Sequence, residues 1–232
     1  MEKENIYTRT AAVLGDEGVC RLKRARVLIV GIGGVGGYAT EALARAGVGE
    51  LTLVDMDRVA PSNLNRQIIA TESTLGKLKV EVMMQRIVDI NPACKVTAIP
   101  MFYDETTAPV LNFAEYDYVL DCIDTISSKV DLIERVTVAG VPMISAMGAG
   151  NKLDPTRLTV SDISKTHTDP LARAVRTKLR AKGINHLKVV FSSEKPREVG
   201  TRAPGSLSFV PSVMGLIMAG EVIKAVAGVG EG

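Results

Sequence analysis

Cysteine is scarce: Cys20, Cys94 and Cys122 are the only three in 232 residues, far apart and without a Cys-x-x-Cys pair. A disulfide framework and a zinc knuckle both need paired or closely spaced thiols, so neither is encoded, and the usage points to a reducing compartment. An apolar signal core is missing as well. The N-terminal MEKENIYTRTAAVLG is polar, which reads as a cytoplasmic protein. A membrane-length run free of charge is also lacking. Leu207 to Gly228 is long enough to span, but Glu221 and Lys224 interrupt it, and such charges cost roughly 3 kcal/mol each at a bilayer centre. The helix expected from Ser212 to Ala227 is therefore read as core or dimer interface. Internal repeats, low-complexity tracts and interdomain linkers are absent too.

What is present is an alternation of short apolar runs and amphipathic segments. With 46% hydrophobic and 23% charged residues, the chain can bury a full core in one α/β domain spanning 1–232. Arg26 to Val30 predicts a buried strand, Gly37 to Ala46 a helix and Leu51 to Val54 the next strand, a βαβ unit. GKLKVEVMMQRIVDINP predicts a helix with Val80, Met83, Met84, Ile87 and Val88 at helical spacing, stopped by Asn91 and Pro92. CKVTAIP, YDYVLDCID and VPMISAMGAG supply further strands, with the helix SSKVDLIERVTVAG between the last two. This pattern implies a Rossmann-like, doubly wound, mostly parallel sheet with a mixed C-terminal extension. The nucleotide-binding part is expected at about 20–150, and the substrate and dimer part at about 151–232.

Gly31, Gly33, Gly34 and Gly36 lie between the first strand and its helix, where bare backbone N–H groups can approach a phosphate. Asp55 ends the next strand, where a carboxylate can accept from ribose hydroxyls. These two features fit a nicotinamide-dependent oxidoreductase, an ATP-using enzyme or a merely structural turn. The discriminating stretch is DMDRVAPSNLNRQ, Asp55 to Gln67, with Lys79 beyond it. It gathers Asp57, Ser62, Asn63, Arg66 and Gln67 just after the ribose carboxylate. Arg66 can hold phosphate bidentately, Asn63 and Gln67 can donate amide hydrogens, and Lys79 can reach outer phosphates as a point charge. That combination favours ATP. Asp124, in DCIDT beyond a strand end, can hold Mg2+ on the same sheet edge.

In the ordered motifs GIGGVGG, LVDMDRV, SNLNRQ, GKLKVE and LDCIDT the chain resembles the ubiquitin-activating-enzyme-like superfamily, the adenylyltransferases of thiamin, molybdopterin and ubiquitin-type pathways. The resemblance implies that the glycine turn, Gly34 included, takes the phosphates and Asp55 the ribose. It assigns Ser62 to Arg66 and Lys79 to ATP, and Asp124 to magnesium. It also implies a homodimer in which an N-terminal arginine, here Arg9, reaches into the partner's site. Such a site turns a carboxylate into a mixed anhydride with AMP, with Arg9, Arg66, Lys79 and the metal stabilising phosphate charge.

Many of these relatives continue on a cysteine or carry two Cys-x-x-Cys pairs, whereas here no cysteine follows Cys122, which reads as a buried small hydrophobe. Attack on the activated carboxylate is then direct, by a group within the same substrate. Between Lys165 and Arg202, ten Lys or Arg face three acidic residues, against a net +2 for the whole chain. TDPLARAVRTKLRAKG predicts a helix capped by Thr168 or Asp169, with Leu171, Val175 and Leu179 buried and Arg173, Arg176 and Arg180 on an exposed face suited to RNA. Lys152, Asp154 and Arg157, just after MGAG, can line the substrate entrance, with a solvated loop the favoured reading, and His167 and His186 carry no metal spacing. AMGAGNKLDPTRLTVSDISKTHTDPLARAVR, SSEKPRE and GSLSFVPSVMGLIMAGEVIK resemble one branch of the superfamily, the tRNA threonylcarbamoyladenosine dehydratases. This implies ATP-dependent cyclisation of the modified adenosine beside the anticodon of tRNA. Some members of that branch work beside a cysteine desulfurase and its sulfur acceptor. The competing readings are an adenylyltransferase for a small carrier protein ending in Gly-Gly, the oxidoreductase, and a binding module without turnover.

Overall fold

The computed structural model describes residues 4–200 and 204–229, so Arg202 lies outside the described residues. The chain forms helices Thr8–Arg24 (α1), Gly36–Ala46 (α2), Lys79–Ile90 (α3), Ile126–Val138 (α4), Pro170–Ala181 (α5) and Phe209–Ala227 (α6). Its strands are Arg26–Val30 (β1), Glu50–Val54 (β2), Lys95–Ile99 (β3), Tyr118–Asp121 (β4), Met143–Ala146 (β5), Leu158–Asp162 (β6) and Lys188–Ser192 (β7). They pair in one sheet of order β3-β2-β1-β4-β5-β7-β6, parallel throughout except for the antiparallel β6–β7 pair. The doubly wound fold with a mixed extension is thus the one the sequence implies.

The first strand shows how the layers arise. Val27 and Ile29 pack under α2, α3 and α6, while Leu28 and Val30 pack against residues of α4 and α5, and all four are buried. A strand covered on both faces must be apolar at every position, and RVLIV is apolar after its first residue. From β1 the chain winds out to β2 and β3, then returns to the other side of β1 to begin β4. Connections leaving in opposite directions open a crevice above the carboxyl ends of β1 and β4.

Some local expectations need correction. Val88 is exposed, because the core stripe of α3 ends with Ile87. Asp169 caps α5 by accepting from the Ala172 amide, and Leu171 is only partly buried, Ala172 taking the inner position. Helix α1 is not anticipated by its polar sequence. It breaks at Gly15 and is held by Val19 and Leu22 and by Arg21, which donates to the Ala227 carbonyl of α6. Helix α6 is long and apolar enough to cross a membrane by length and composition, but half of that span is buried within the fold. Its buried stripe is Val210, Met214, Met218 and Val222.

Gly36 does not line the cleft and packs against Gly31. A Cβ on it would sit 1.8 Å from the Gly31 carbonyl oxygen, so only glycine lets α2 start against the turn. Gly36→Ala is expected to cost more than about 2 kcal/mol in urea denaturation; an unchanged midpoint would contradict this close packing.

Candidate active site

A cleft of about 670 Å³ opens at the β1–β4 crevice. Its floor is the turn after β1. Gly31 takes φ +96°, and a Cβ there would lie 2.7 Å from the Cys122 carbonyl oxygen, so the two strand-end turns meet backbone to backbone. Gly31, Gly33 and Gly34 line the cleft. Asp55 closes one side: its Oδ2 accepts from the Ile32 amide at 2.7 Å and its Oδ1 from the Asp57 amide at 2.8 Å. Burial pushes the Asp55 carboxyl above its ordinary value, opposed by the Lys79 charge and by those two amides.

Lys79 begins α3 and is buried, with its Nζ 2.7 Å from the exposed Asp57 carboxylate. The Asp57 carbonyl also accepts from the Lys79 amide at 2.9 Å, which pins the helix start to the strand end. Opposite, a 3-10 turn at Pro61–Asn63 leads into the residues that face the glycines. Asn63 is buried, its Oδ1 accepting from the Ala60 amide. Arg66 is half-buried, its Nη1 donating to the Ser62 carbonyl at 2.7 Å and to Asn65 Oδ1 at 2.9 Å. Gln67 is buried, and its Oε1 has no hydrogen-bond partner among the described residues. An orphaned acceptor in a cleft wall costs about 1–3 kcal/mol unless a ligand donor meets it.

Asp124 stands exposed on the third side, in the turn between β4 and α4. Beneath that turn lies a network that the sequence reading missed. Lys129 is wholly buried and donates to Asp121 Oδ2 at 2.7 Å, Ser145 Oγ at 3.1 Å and the Ala146 carbonyl at 2.9 Å. Asp121 Oδ1 in turn accepts from the Ile123 amide, so the network fixes the path to Asp124. The available signal was a lysine among the inward positions of an amphipathic helix.

Three sequence-predicted residues do not line the cleft. Ser62 is exposed and serves Arg66 through its carbonyl, Gly36 packs against Gly31, and Arg9 is exposed in the first turn of α1. For Lys152 the solvated-loop reading gives way to the alternative at the cleft: it is buried, lines the cleft, and donates to the Gly148 carbonyl at 2.7 Å and to Asp169 Oδ2 at 3.2 Å. The loop does hold for its neighbours, since Asp154 caps a 3-10 turn and Arg157 bonds Ser193. Arg176 corrects the exposed-face reading of α5. Half-buried, it donates to the Thr166 carbonyl at 2.9 Å and to the Thr166 hydroxyl, whereas Arg173 and Arg180 are exposed. Cys122 lines the cleft, but burial and the Asp121 charge push its thiol up to about 12, leaving it un-ionised at neutral pH.

Removing one partner of a buried pair leaves an uncompensated charge. Lys129→Ala is therefore expected to lose about 3–5 kcal/mol of stability by urea denaturation. A loss under about 1 kcal/mol would show that Asp121 is not held by this contact.

Comparison with known proteins gives the family. The ThiF family matches residues 7–232. The tRNA threonylcarbamoyladenosine dehydratase of Bacillus subtilis (strain 168) is 48% identical, across 94% of this chain and 92% of its own. Two crystal structures of the Escherichia coli tRNA N6-threonylcarbamoyladenosine dehydratase TcdA align at 36% identity. The ATP complex has a TM-score of 0.89 over 96% of this chain and 93% of its own, and the AMP complex 0.90 over 95% and 93%. With a family model that matches residues 7–232, nearly the whole chain, this protein belongs to the ThiF family.

Proposed function

We propose that this chain is an ATP-dependent tRNA threonylcarbamoyladenosine dehydratase, which activates the threonyl carboxylate beside the anticodon and closes it into a ring. The observation that carries the reading is one cleft in which Gly31, Gly33, Gly34, Asp55, Arg66, Gln67, Lys79 and Asp124 converge, in a chain similar to such dehydratases over nearly its full length. The residues present fit the nucleotide. Gln67 Oε1 lacks a donor, which ribose hydroxyls and the adenine amino group carry, and Asp55 faces the same cleft.

A carboxylate resists attack because its charge repels nucleophiles and oxide leaves poorly. Transfer of AMP to it, with release of pyrophosphate, gives a mixed anhydride. The carbamoyl group of the same nucleoside then attacks that carbonyl, loses a proton and expels AMP, so water is lost overall. In this scheme Arg66 and Lys79 stabilise charge on the phosphates, and the glycine turn presents N–H groups to them. No enzyme thiol is needed, in keeping with the raised Cys122 thiol, and no step requires a sulfur-transfer partner. Asp124 would hold Mg2+, which commonly takes one or two protein carboxylates and completes its shell with phosphate oxygens; bound there, it neutralises phosphate charge.

The remaining assignments belong to the same proposal. Residues of about 20–150 serve the nucleotide, and about 151–232 supply the tRNA and dimer surfaces. Arg9, exposed and outside its own cleft, would act in the second subunit of a homodimer, and Arg173 and Arg180, also exposed, would face RNA. The compartment is the cytoplasm, where the substrate tRNA is found.

Incubation with ATP, Mg2+ and tRNA carrying threonylcarbamoyladenosine is expected to yield a nucleoside lighter by one water in mass analysis; an unchanged nucleoside would refute the assignment. Arg66→Ala and Lys79→Ala are each expected to lower tRNA-dependent pyrophosphate release by about 100-fold or more, and parental rates in either would remove that residue from the site. Mixing Arg9→Ala with Asp124→Ala should restore about a quarter of the parental sites if a two-fold dimer shares them. Absence of recovery after verified subunit exchange would place Arg9 outside the partner's site.

A further inference from the structure

A second concavity adjoins the cleft across a ridge. Asp169 and Pro170 wall both, and beyond them His167, Arg173, Arg176 and Lys178 border a groove of about 660 Å³. The groove is cationic. Its one acid, Asp169, is buried and committed to Lys152, the Gly148 amide and the cap of α5. Arg173 and Lys178 are exposed, and neither side chain has an ion-pair partner among the described residues. Arg176 builds the wall instead, since its bonds to Thr166 fix the loop that carries His167. The His167 ring is exposed and stands edge-to-face with buried Phe191, centroids 5.2 Å apart at 85°. A tight turn holds it there: Thr168 takes φ +57°, and its hydroxyl and the Asp169 amide both donate to the His167 carbonyl at 2.7 Å.

We propose that this groove is the subsite for the nucleotide next to the modified adenosine, with Arg173 and Lys178 on its phosphates and its base stacked on His167. The inference rests on the tRNA reading above and adds the path by which the RNA strand leaves the cleft. Unstacked bases of RNA loops are held by stacking on aromatic or imidazole rings while Arg and Lys track the backbone. One planar ring beside two unpaired cations, at the lip of the nucleotide cleft, matches that chemistry. An acidic protein segment would use the cations but leave the ring without a role.

The test uses the full chain and tRNA carrying threonylcarbamoyladenosine, with affinity measured by filter binding across a salt series. Arg173→Ala/Lys178→Ala is expected to weaken binding by about tenfold or more, and to reduce the slope of log affinity against log salt by about 1.4, from roughly 0.7 per phosphate contact on single strands. His167→Ala is expected to weaken binding roughly fivefold or more, and His167→Phe to restore it. Thermal stabilisation by ATP should be unchanged in all three, showing that fold and cleft are intact. Parental affinity and slope in the double variant would overturn the proposal, as would an equal loss in Lys95→Ala on the opposite edge strand β3. Loss of poly-glutamate binding with tRNA affinity unchanged would reassign the groove to a protein partner and overturn it too. If the parent itself binds no tRNA, the proposed function fails first and the groove with it; a parent that binds beside unaffected variants sinks the groove alone.

Discussion

At the head of the sheet the turn after β1 and the turn after β4 touch backbone to backbone, with the Cys122 carbonyl against Gly31. Everything in the cleft depends on that contact. β1 and β4 are paired in register, Val30 beside Asp121, so the residues just past each strand leave the sheet at the same level. One carries the bare amides of the glycine turn, and the other carries Asp124. A side chain at Gly31 would push them apart and separate the glycine-turn amides from Asp124 across the cleft.

Three lysines around this contact are each paired with one aspartate, and their surroundings give them different work. Lys129 and Asp121 are both sealed from solvent, and all three ammonium protons have acceptors, so this pair can only hold the β4 and β5 ends in place. Lys152 and Asp169 are nearly as buried, and join the cleft wall to the start of α5. Lys79 differs. It is buried, but its partner Asp57 is 62% exposed, so water already competes for that carboxylate and the lysine can turn to an incoming phosphate without stranding a charge. The same reasoning separates the arginines: Arg176 is tied to loop carbonyls, while Arg173 and Arg180 remain open to solvent.

Much of this was legible in the sequence. The β1, α2 and β2 unit declares itself because a strand buried on both faces is continuously apolar, and the motif order from the glycine turn to DCIDT places one chemistry at successive strand ends. What escaped has physical causes. Strand β7 lies in a segment whose basic residues dominate its composition, and β6 is an edge strand, half polar because one side meets solvent. Helix α1 buries few residues and owes its place to α6, a partner far away in sequence. Arg176 was misplaced because periodicity gives a helix face but not the loop folded against it. Lys152 and Lys129 were undervalued because lysine reads as solvated until an aspartate from another element comes within 3.2 Å or less. That Ser62 and Gly36 lie outside the cleft lining was not legible either, because neither a motif match nor sequence adjacency distinguishes a residue that lines a cleft from one that supports it.

The central claim is that the carboxylate of the modified nucleoside is activated by transfer of AMP within this cleft. Its most direct test is to supply tRNA whose threonyl carboxylate carries heavy oxygen, and to follow that label during ATP-dependent dehydration. The account predicts that one labelled oxygen appears in AMP, since the oxygen joined to the α-phosphorus leaves with it when the ring closes. Label recovered in orthophosphate, or in water with unlabelled AMP, would contradict it.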